Sequence, residues 1–318
     1  MRICTLYPAA TEIVFALGLG DEVVAVSHEC DYPPAAARLP KITRSNIPSD
    51  LCSLDIDRVV SSTLAKGASL YSIDLDVMRA AAPDTIISQE LCDVCAVSNE
   101  ELDRCLEAVS LAPDVLNLRA TSLRGILNDI ASAAAFLDRN EAGERLLSSL
   151  RARIQAVRDK TQPLPYRPRV FCMEWVDPPY CGGHWMKELV EIAGGHDGLS
   201  VDQKPSVRID WQQVVDFAPE VLVLTCCGYD VARSAAESEL LLTSPGANRL
   251  PAIQHDRIYA TDSSAYFARP GPRIVDSLEI LAHIIHPDVF PPPKDANAFR
   301  RVALAEHLRA GAALAPAE

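Results

Sequence analysis

Short apolar runs alternate along this chain with stretches whose apolar positions recur every three to four residues. That is the pattern of strands followed by helices in a mostly parallel α/β sheet. The strand candidates are 2–7, 22–27, 84–88 and 114–118 in the first half, and 168–173, 220–225 and 257–261 in the second. A first helix is well signalled: Pro8 precedes it, Thr11-Glu12 opens it, Ile13, Val14 and Leu17 give its apolar face, and Gly18 and Gly20 close it.

The middle of the chain departs from this alternation. From Thr121 to about Lys160 the apolar positions keep helical spacing, through Ile126, Ile130, Ala134 and Leu137, then Leu146, Leu147, Leu150 and Ile154. Asn140 marks a candidate kink or break, and Pro163 and Pro165 stop the pattern. A helix of that length is too long for a crossover inside one sheet, so it reads as a strut between two lobes, ~50–60 Å long if continuous. The lobes also resemble each other. Met78–Ser88 and Val214–Leu224 both run from a helix end through Ala-Pro-acid into a buried strand. The predicted fold is α/β, with two Rossmann-like lobes joined by a long backbone helix and a ligand cleft between the strand C-terminal ends of both. The expected boundaries are 1–118 for the N-terminal lobe, 119–162 for the linking helix and 163–290 for the C-terminal lobe. A peripheral tail, 291–318, is expected to carry a short helix near 297–312.

Composition narrows the function classes. The 318 residues are 48% hydrophobic and 23% charged, enough for two ordinary cores. A net charge of −13 argues against nucleic acid or an anionic membrane as partner. No apolar run is long enough for membrane insertion, and no apolar leader follows Arg2, so a cytoplasmic location is expected unless a leader was removed. In that compartment the ten cysteines would be thiols rather than a disulfide framework. Oligomeric state is not legible.

Four loops carry the candidate chemistry: 27–34, 89–95, 174–185 and 264–273. They hold six of the eighteen aromatic residues, namely Tyr32, Trp175, Tyr180, Trp185, Tyr266 and Phe267. Rings at loop tips are costly unless they pack on one another or a flat ligand covers them. As a set converging on one cleft they point to a small-molecule ligand. Cys92-x-x-Cys95, with His28 and His184, makes a candidate metal site, although a lone CxxC is a weak signal. No nucleophile elbow or phosphate-binding loop is present, so no catalytic residue is assigned.

Several motifs carry a resemblance: Tyr7-Pro-Ala-Ala-Thr11-Glu12, His28-Glu-Cys-Asp31-Tyr32-Pro33, Cys92-x-x-Cys95-Ala-Val-Ser98, Glu174-Trp175-x-Asp-Pro-Pro-Tyr180, Gly183-His184-Trp185 and Arg269-Pro-Gly-Pro-Arg273. Over about residues 2–286 the chain resembles the vitamin B12-binding proteins of ABC-type B12 and iron-siderophore importers, most closely their branch lacking a signal peptide. The resemblance implies a class III periplasmic-binding-protein-like fold and cobalamin or a related corrinoid as ligand. It implies ring contacts from Tyr32 and Tyr180 and a role near the last cleft loop for Phe267 and Arg269. The wider ligand-facing set is Tyr7, Thr11, His28, Asp31, Gln89, Glu174, Trp175, His184, Trp185 and Tyr266. Where the importer proteins carry a permease-docking glutamate on each lobe, this chain has Asp76 and Gln212, which counts against docking to an ABC permease. The expected function is a corrinoid carrier, reserve or substrate-binding protein. The alternatives are a binder of a metal ion or of a siderophore- or haem-like chelate, and an enzyme that handles a corrinoid or metal centre.

Overall fold

The computed structural model describes residues 1–48, 51–90 and 97–304. They form two compact units. The first is Met1–Leu150 with Pro270–Pro272; the second is Arg151–Arg269 with the described residues from Arg273 on.

Unit 1 runs β1 (Ile3–Thr5), α1 (Pro8–Ala16), β2 (Val23–Val26), β3 (Thr43–Ser45), α2 (Ser53–Ala65), β4 (Tyr71–Ile73), α3 (Leu75–Ala81), β5 (Thr85–Gln89), α4 (Asn99–Val109), β6 (Asp114–Leu118), α5 (Leu123–Phe136) and α6 (Asn140–Thr161), the last continuing into unit 2. Its main sheet has the order β2-β1-β5-β6, parallel throughout. Helices follow these strands, so the central ones are apolar on both faces: Ile3, Cys4, Ile86 and Ile87 are all fully buried. The order reverses between β1 and β5, which makes their C-terminal ends the switch point where open α/β sheets bind ligands. A separate antiparallel pair, β3 with β4, lies outside the predicted strands. Three-residue strands give too short an alternation to register in the sequence.

Unit 2 runs β7 (Val170–Trp175), β8 (Tyr180–Cys181), α7 (Met186–Ile192), α8 (Trp211–Phe217), β9 (Val221–Leu224), α9 (Val231–Glu237), α10 (Pro251–Gln254), β10 (Ile258–Thr261), α11 (Ile274–Ile285) and β11 (Phe299–Val302). The sheet order is β11-β10-β9-β7-β8, with β10, β9 and β7 parallel and the two flanking strands antiparallel. In α11, Ile274, Val275, Leu278, Leu281 and Ile285 are buried alongside Ile280 and Ile284, the signature of a helix enclosed on most sides.

Two expectations change here. The long helical stretch is not one rod: α5 ends at Phe136 and α6 starts at Asn140. Between them Asp138 takes the left-handed conformation (φ 53°), which breaks the ladder. The tail begins not as a helix but as β11, which pairs with β10 from Ile258↔Val302 to Thr261↔Phe299. Residues 305–318 lie outside the described residues.

The internal likeness of the lobes extends to the atoms. Helices α3 and α8 each start after an aspartate N-cap, Asp74 and Asp210, and end on a left-handed alanine, Ala82 (φ 38°) and Ala218 (φ 49°). In each unit an arginine just ahead of the first strand donates to the freed carbonyls at the helix end. Arg2 Nε reaches Ala81 O at 2.9 Å, and Arg169 Nε reaches Ala218 O at 2.9 Å. The same arginines' backbone N–H groups donate to the acid after the proline, Asp84 at 2.9 Å and Glu220 at 3.0 Å. Orphan helix carbonyls and their dipole favour a cation there, so one solution serves both units.

Pro270–Pro272 belongs to unit 1 because Gly271 lies flat on the first turn of α1. A Cβ at Gly271 would stand 3.2 Å from Ala9 Cβ and 3.3 Å from Ala9 Cα, and Ala9 is fully buried. Gly271→Ala is therefore expected to lower stability by about 1 kcal/mol through overpacking. Chemical denaturation measures this, and an unchanged midpoint would show that the helix can yield.

Candidate functional site

In unit 1 the predicted residues gather at the C-terminal ends of β1, β2 and β5. Tyr7 is the N-cap of α1 and Thr11 stands in its first turns; both are buried. Thr11 Oγ1 lies 2.6 Å from Thr5 Oγ1 and donates to Cys30 Sγ at 3.0 Å, and Ser27 Oγ lies 3.3 Å from the same sulfur. This chain ties the two strand ends together, and burial raises the Cys30 thiol pKa, so the sulfur is an inert hydrogen-bonding group. Thr11 is thus committed to the scaffold. Beyond it, Asp31 is exposed and Tyr32 is 45% exposed, a large ring on the surface.

His28 is half-buried. Its backbone N–H donates to Thr43 Oγ1 at 3.0 Å, its ring Nδ1 lies 2.7 Å from the same oxygen, and its ring packs against Tyr71 with centroids 5.6 Å apart. Burial lowers its pKa, against the pull of Glu29, so the ring is neutral near pH 7. At the end of β5, Gln89 is buried, and its Nε2 has no hydrogen-bond partner among the described residues; the neighbouring Ser88 Oγ is in the same state. A buried amide left unpaired costs about 1–3 kcal/mol, so such atoms at a switch point mark a place for a polar ligand group. Cys92 and Cys95 lie outside the described residues.

In unit 2 the key residues stand at the C-terminal ends of β7 and β9. Trp175 and Tyr180 are register partners across the β7–β8 hairpin. Tyr229 packs on Trp175 with centroids 5.0 Å apart, and the Arg233 guanidinium sits 3.9 Å from the Tyr229 ring centre. The Tyr229 side chain is buried beside Arg233. Tyr229 and Arg233 were not foreseen. Their signal is Gly228-Tyr229-Asp230 directly after a strand: Gly228 takes φ 77° to turn the chain, and Asp230 caps α9, which places Arg233 one turn in.

The Gly182–Trp185 loop is held from below. Glu174 Oε1 accepts from Gly183 N–H at 2.8 Å, and burial raises the carboxyl's pKa against that bond. His184 has φ 51°, unusual for a residue with a side chain, and is pinned by its N–H to Lys204 O at 2.6 Å. It stacks on Trp185 at 5.4 Å, and its Nε2 is buried without a partner among the described residues. Trp185 and Phe267 are turned inward: both are buried, and Trp185 Nε1 donates to Phe267 O at 3.0 Å. Tyr266 is buried as well, with its hydroxyl donating to Asp295 at 2.9 Å, and Arg269 is 5% exposed. These four side chains are packed into the base of the loops.

Of the expected metal set, His28 belongs to unit 1 and His184 to unit 2. Among the described residues no group of three or more His, Cys, Asp or Glu is arranged to hold a metal ion.

Asp197, beneath this loop, is 1% exposed. Its Oδ1 accepts from the backbone N–H groups of Leu199 and Ser200. Burial raises its pKa. A carboxyl with a raised folded pKa supports the fold most when protonated, and that support is lost as pH rises from the ordinary aspartate range through the folded value. Asp197→Asn keeps the acceptor for the two backbone N–H groups and removes the buried charge. It is expected to raise stability by about 1 kcal/mol at pH 8, with the gain shrinking at pH 5. Thermal unfolding at both pH values checks this, and a variant less stable at pH 8 would refute it.

A sequence profile described as "Periplasmic binding protein" matches residues 3–265. The chain belongs to the periplasmic binding protein family. The vitamin B12-binding protein of Vibrio cholerae is 25% identical over 281 residues, covering 87% of this chain and 86% of its own. The solved structure of the V. cholerae periplasmic vitamin B12 binding protein BtuF superposes with a TM-score of 0.63 at 23% identity, over 89% of this chain and 96% of that one. A periplasmic heme binding protein from Pseudomonas aeruginosa gives 0.71 at 16% identity, over 95% and 98%. These structural likenesses carry the fold: this periplasmic binding protein has the two α/β units of its neighbours. No helix among the described residues is long and apolar enough to cross a membrane.

Proposed function

We propose that this periplasmic binding protein takes a corrinoid of the cobalamin type, as carrier, reserve or substrate-binding protein, and returns it chemically unchanged. The observation that carries the reading is the group of Tyr180, Trp175, Tyr229 and Arg233 at the strand ends of unit 2, with Tyr229 packed on Trp175 and the Arg233 guanidinium over the Tyr229 ring. A large, partly flat ligand studded with amides suits both halves of that surface: ring faces for its plane, and a hydroxyl for an amide. Tyr32 and the unpaired Gln89 amide offer the same combination in unit 1. The relatives named for vitamin B12 support it.

A haem-like chelate is the second reading. It is favoured by the Arg233 guanidinium, since a cation beside a ring face pairs with a propionate carboxylate, which cobalamin lacks. Solved relatives of this fold are named for heme. Asp76 on α3 is exposed and paired with Arg79, while Gln212 on α8 bonds Asp216. With one acid across these two equivalent positions, permease docking is not part of the proposal.

Spectral titrations with hydroxocobalamin and with haemin, followed by competition between them, test both readings. Saturable 1:1 binding of hydroxocobalamin that haemin does not displace at equal concentration is expected. The reverse preference would replace the first reading with the second.

A further inference from the structure

Thr43 is almost fully buried in the first position of β3. Its hydroxyl oxygen accepts the backbone N–H of His28 at 3.0 Å, and the same oxygen lies 2.7 Å from His28 Nδ1. A threonine hydroxyl has one hydrogen to give and two lone pairs to receive with. The backbone N–H occupies one lone pair. If Nδ1 also carried a hydrogen, both donors would converge on the oxygen, and the hydroxyl's own hydrogen would be buried with no acceptor among the described residues. Leaving such a group unmade is the costly outcome, whereas the alternative satisfies every partner: Thr43 O–H donates to a bare Nδ1, and the ring hydrogen sits on Nε2.

We infer that Thr43 locks His28 as the Nε2–H tautomer, so that His28 recognises a hydrogen-bond acceptor on the ligand, a carbonyl or carboxylate oxygen, and does not coordinate its metal. The inference rests on the ligand reading above and specifies one contact within it. A histidine that ligates a metal through Nε2 needs that nitrogen bare, with its hydrogen held on Nδ1 by an acceptor. Here the group facing Nδ1 is a hydroxyl whose other receiving position is already filled. The Tyr71 ring beside the imidazole and the Thr43 contact at Nδ1 fix its plane, so the donor is presented in one orientation.

The lock is tested first without ligand. Long-range 1H–15N correlation spectra of the labelled protein at pH 8, with His28 assigned by its loss in His28→Gln, are expected to show a protonated Nε2 and a bare Nδ1. In Thr43→Val this preference is expected to weaken or reverse. A wild-type ring protonated on Nδ1 overturns the lock, whatever the ligand.

The recognition half is tested with hydroxocobalamin, and with haemin if that is the ligand bound. Gln places an amide N–H near the position of Nε2–H. His28→Gln is therefore expected to bind within about threefold of wild type with an unchanged visible spectrum, and His28→Leu about tenfold more weakly. A shifted spectrum in His28→Gln would show that His28 ligates the metal and overturn the inference. Wild-type affinity in His28→Leu would also overturn it. If wild type itself binds neither ligand, the ligand reading fails while the tautomer result still stands or falls by the spectra.

Discussion

Trp175→Ala and Tyr229→Ala are each expected to weaken ligand binding about thirtyfold or more, the usual effect of truncating an aromatic anchor at the centre of a contact. The two rings pack on each other at 5.0 Å, so removing either exposes the face of the other and frees the Arg233 guanidinium from its ring contact. The double variant should therefore lose less than the product of the two singles, as coupled neighbours do. Trp185→Ala is the instructive control. Its indole is buried and bonds the Phe267 carbonyl. It should lower the melting temperature first and affect binding only through the loosened loop. Spectral titration beside thermal unfolding separates the two behaviours. Full affinity in a folded Trp175→Ala protein would remove Trp175 from the site.

Gly183→Ala is expected to be the most damaging conservative change in the second unit. An added Cβ would stand 2.3 Å from Ser206 N and 2.9 Å from both Lys204 O and Pro205 C, all backbone atoms that cannot swing aside. The loop must move, and with it go the Gly183 N–H bond to Glu174 at 2.8 Å and the His184 N–H bond to Lys204 O at 2.6 Å. A loss of about 3 kcal/mol follows from overpacking of this kind. For a unit of this size that lowers the melting temperature by roughly 5–10 °C. Binding should fall as well, because Trp175 and Tyr180 are carried by the hairpin that this loop buttresses. A variant that melts within about 2 °C of wild type would mean that the 204–206 segment is free to yield.

The large-scale plan was legible in the sequence because it rests on long signals. Seven apolar runs became β1, β2, β5, β6, β7, β9 and β10, and the Ala-Pro-acid repeat became two helix ends closed by Arg2 and Arg169 in the same way. The break at Asp138 was visible only as the polar Asn140 nearby, because a single left-handed residue leaves no periodic trace. The short strands β3, β4 and β8 were missed for the same reason. In the site, Trp175 and Tyr180 announced themselves as rings on a loop, but sequence cannot tell a ring that faces outward from one that faces in. Trp185 and Phe267 looked equivalent to them and instead hold each other. Tyr229 carried no comparable signal, because it is a lone ring with no aromatic neighbour in its loop. The role of Thr43 could not be read at all: fifteen positions separate it from His28, and only the backbone pairing of Val26 with Lys41 and Ile42, just ahead of β3, brings them together.

The most direct test of the central claim is gel filtration of the purified protein after incubation with a small excess of hydroxocobalamin. Rings and unpaired polar groups that seat a corrinoid predict a pink protein peak carrying one equivalent of ligand, and a Trp175→Ala peak depleted of colour. Wild-type protein that elutes colourless, with all the cobalamin in the small-molecule volume, would contradict it.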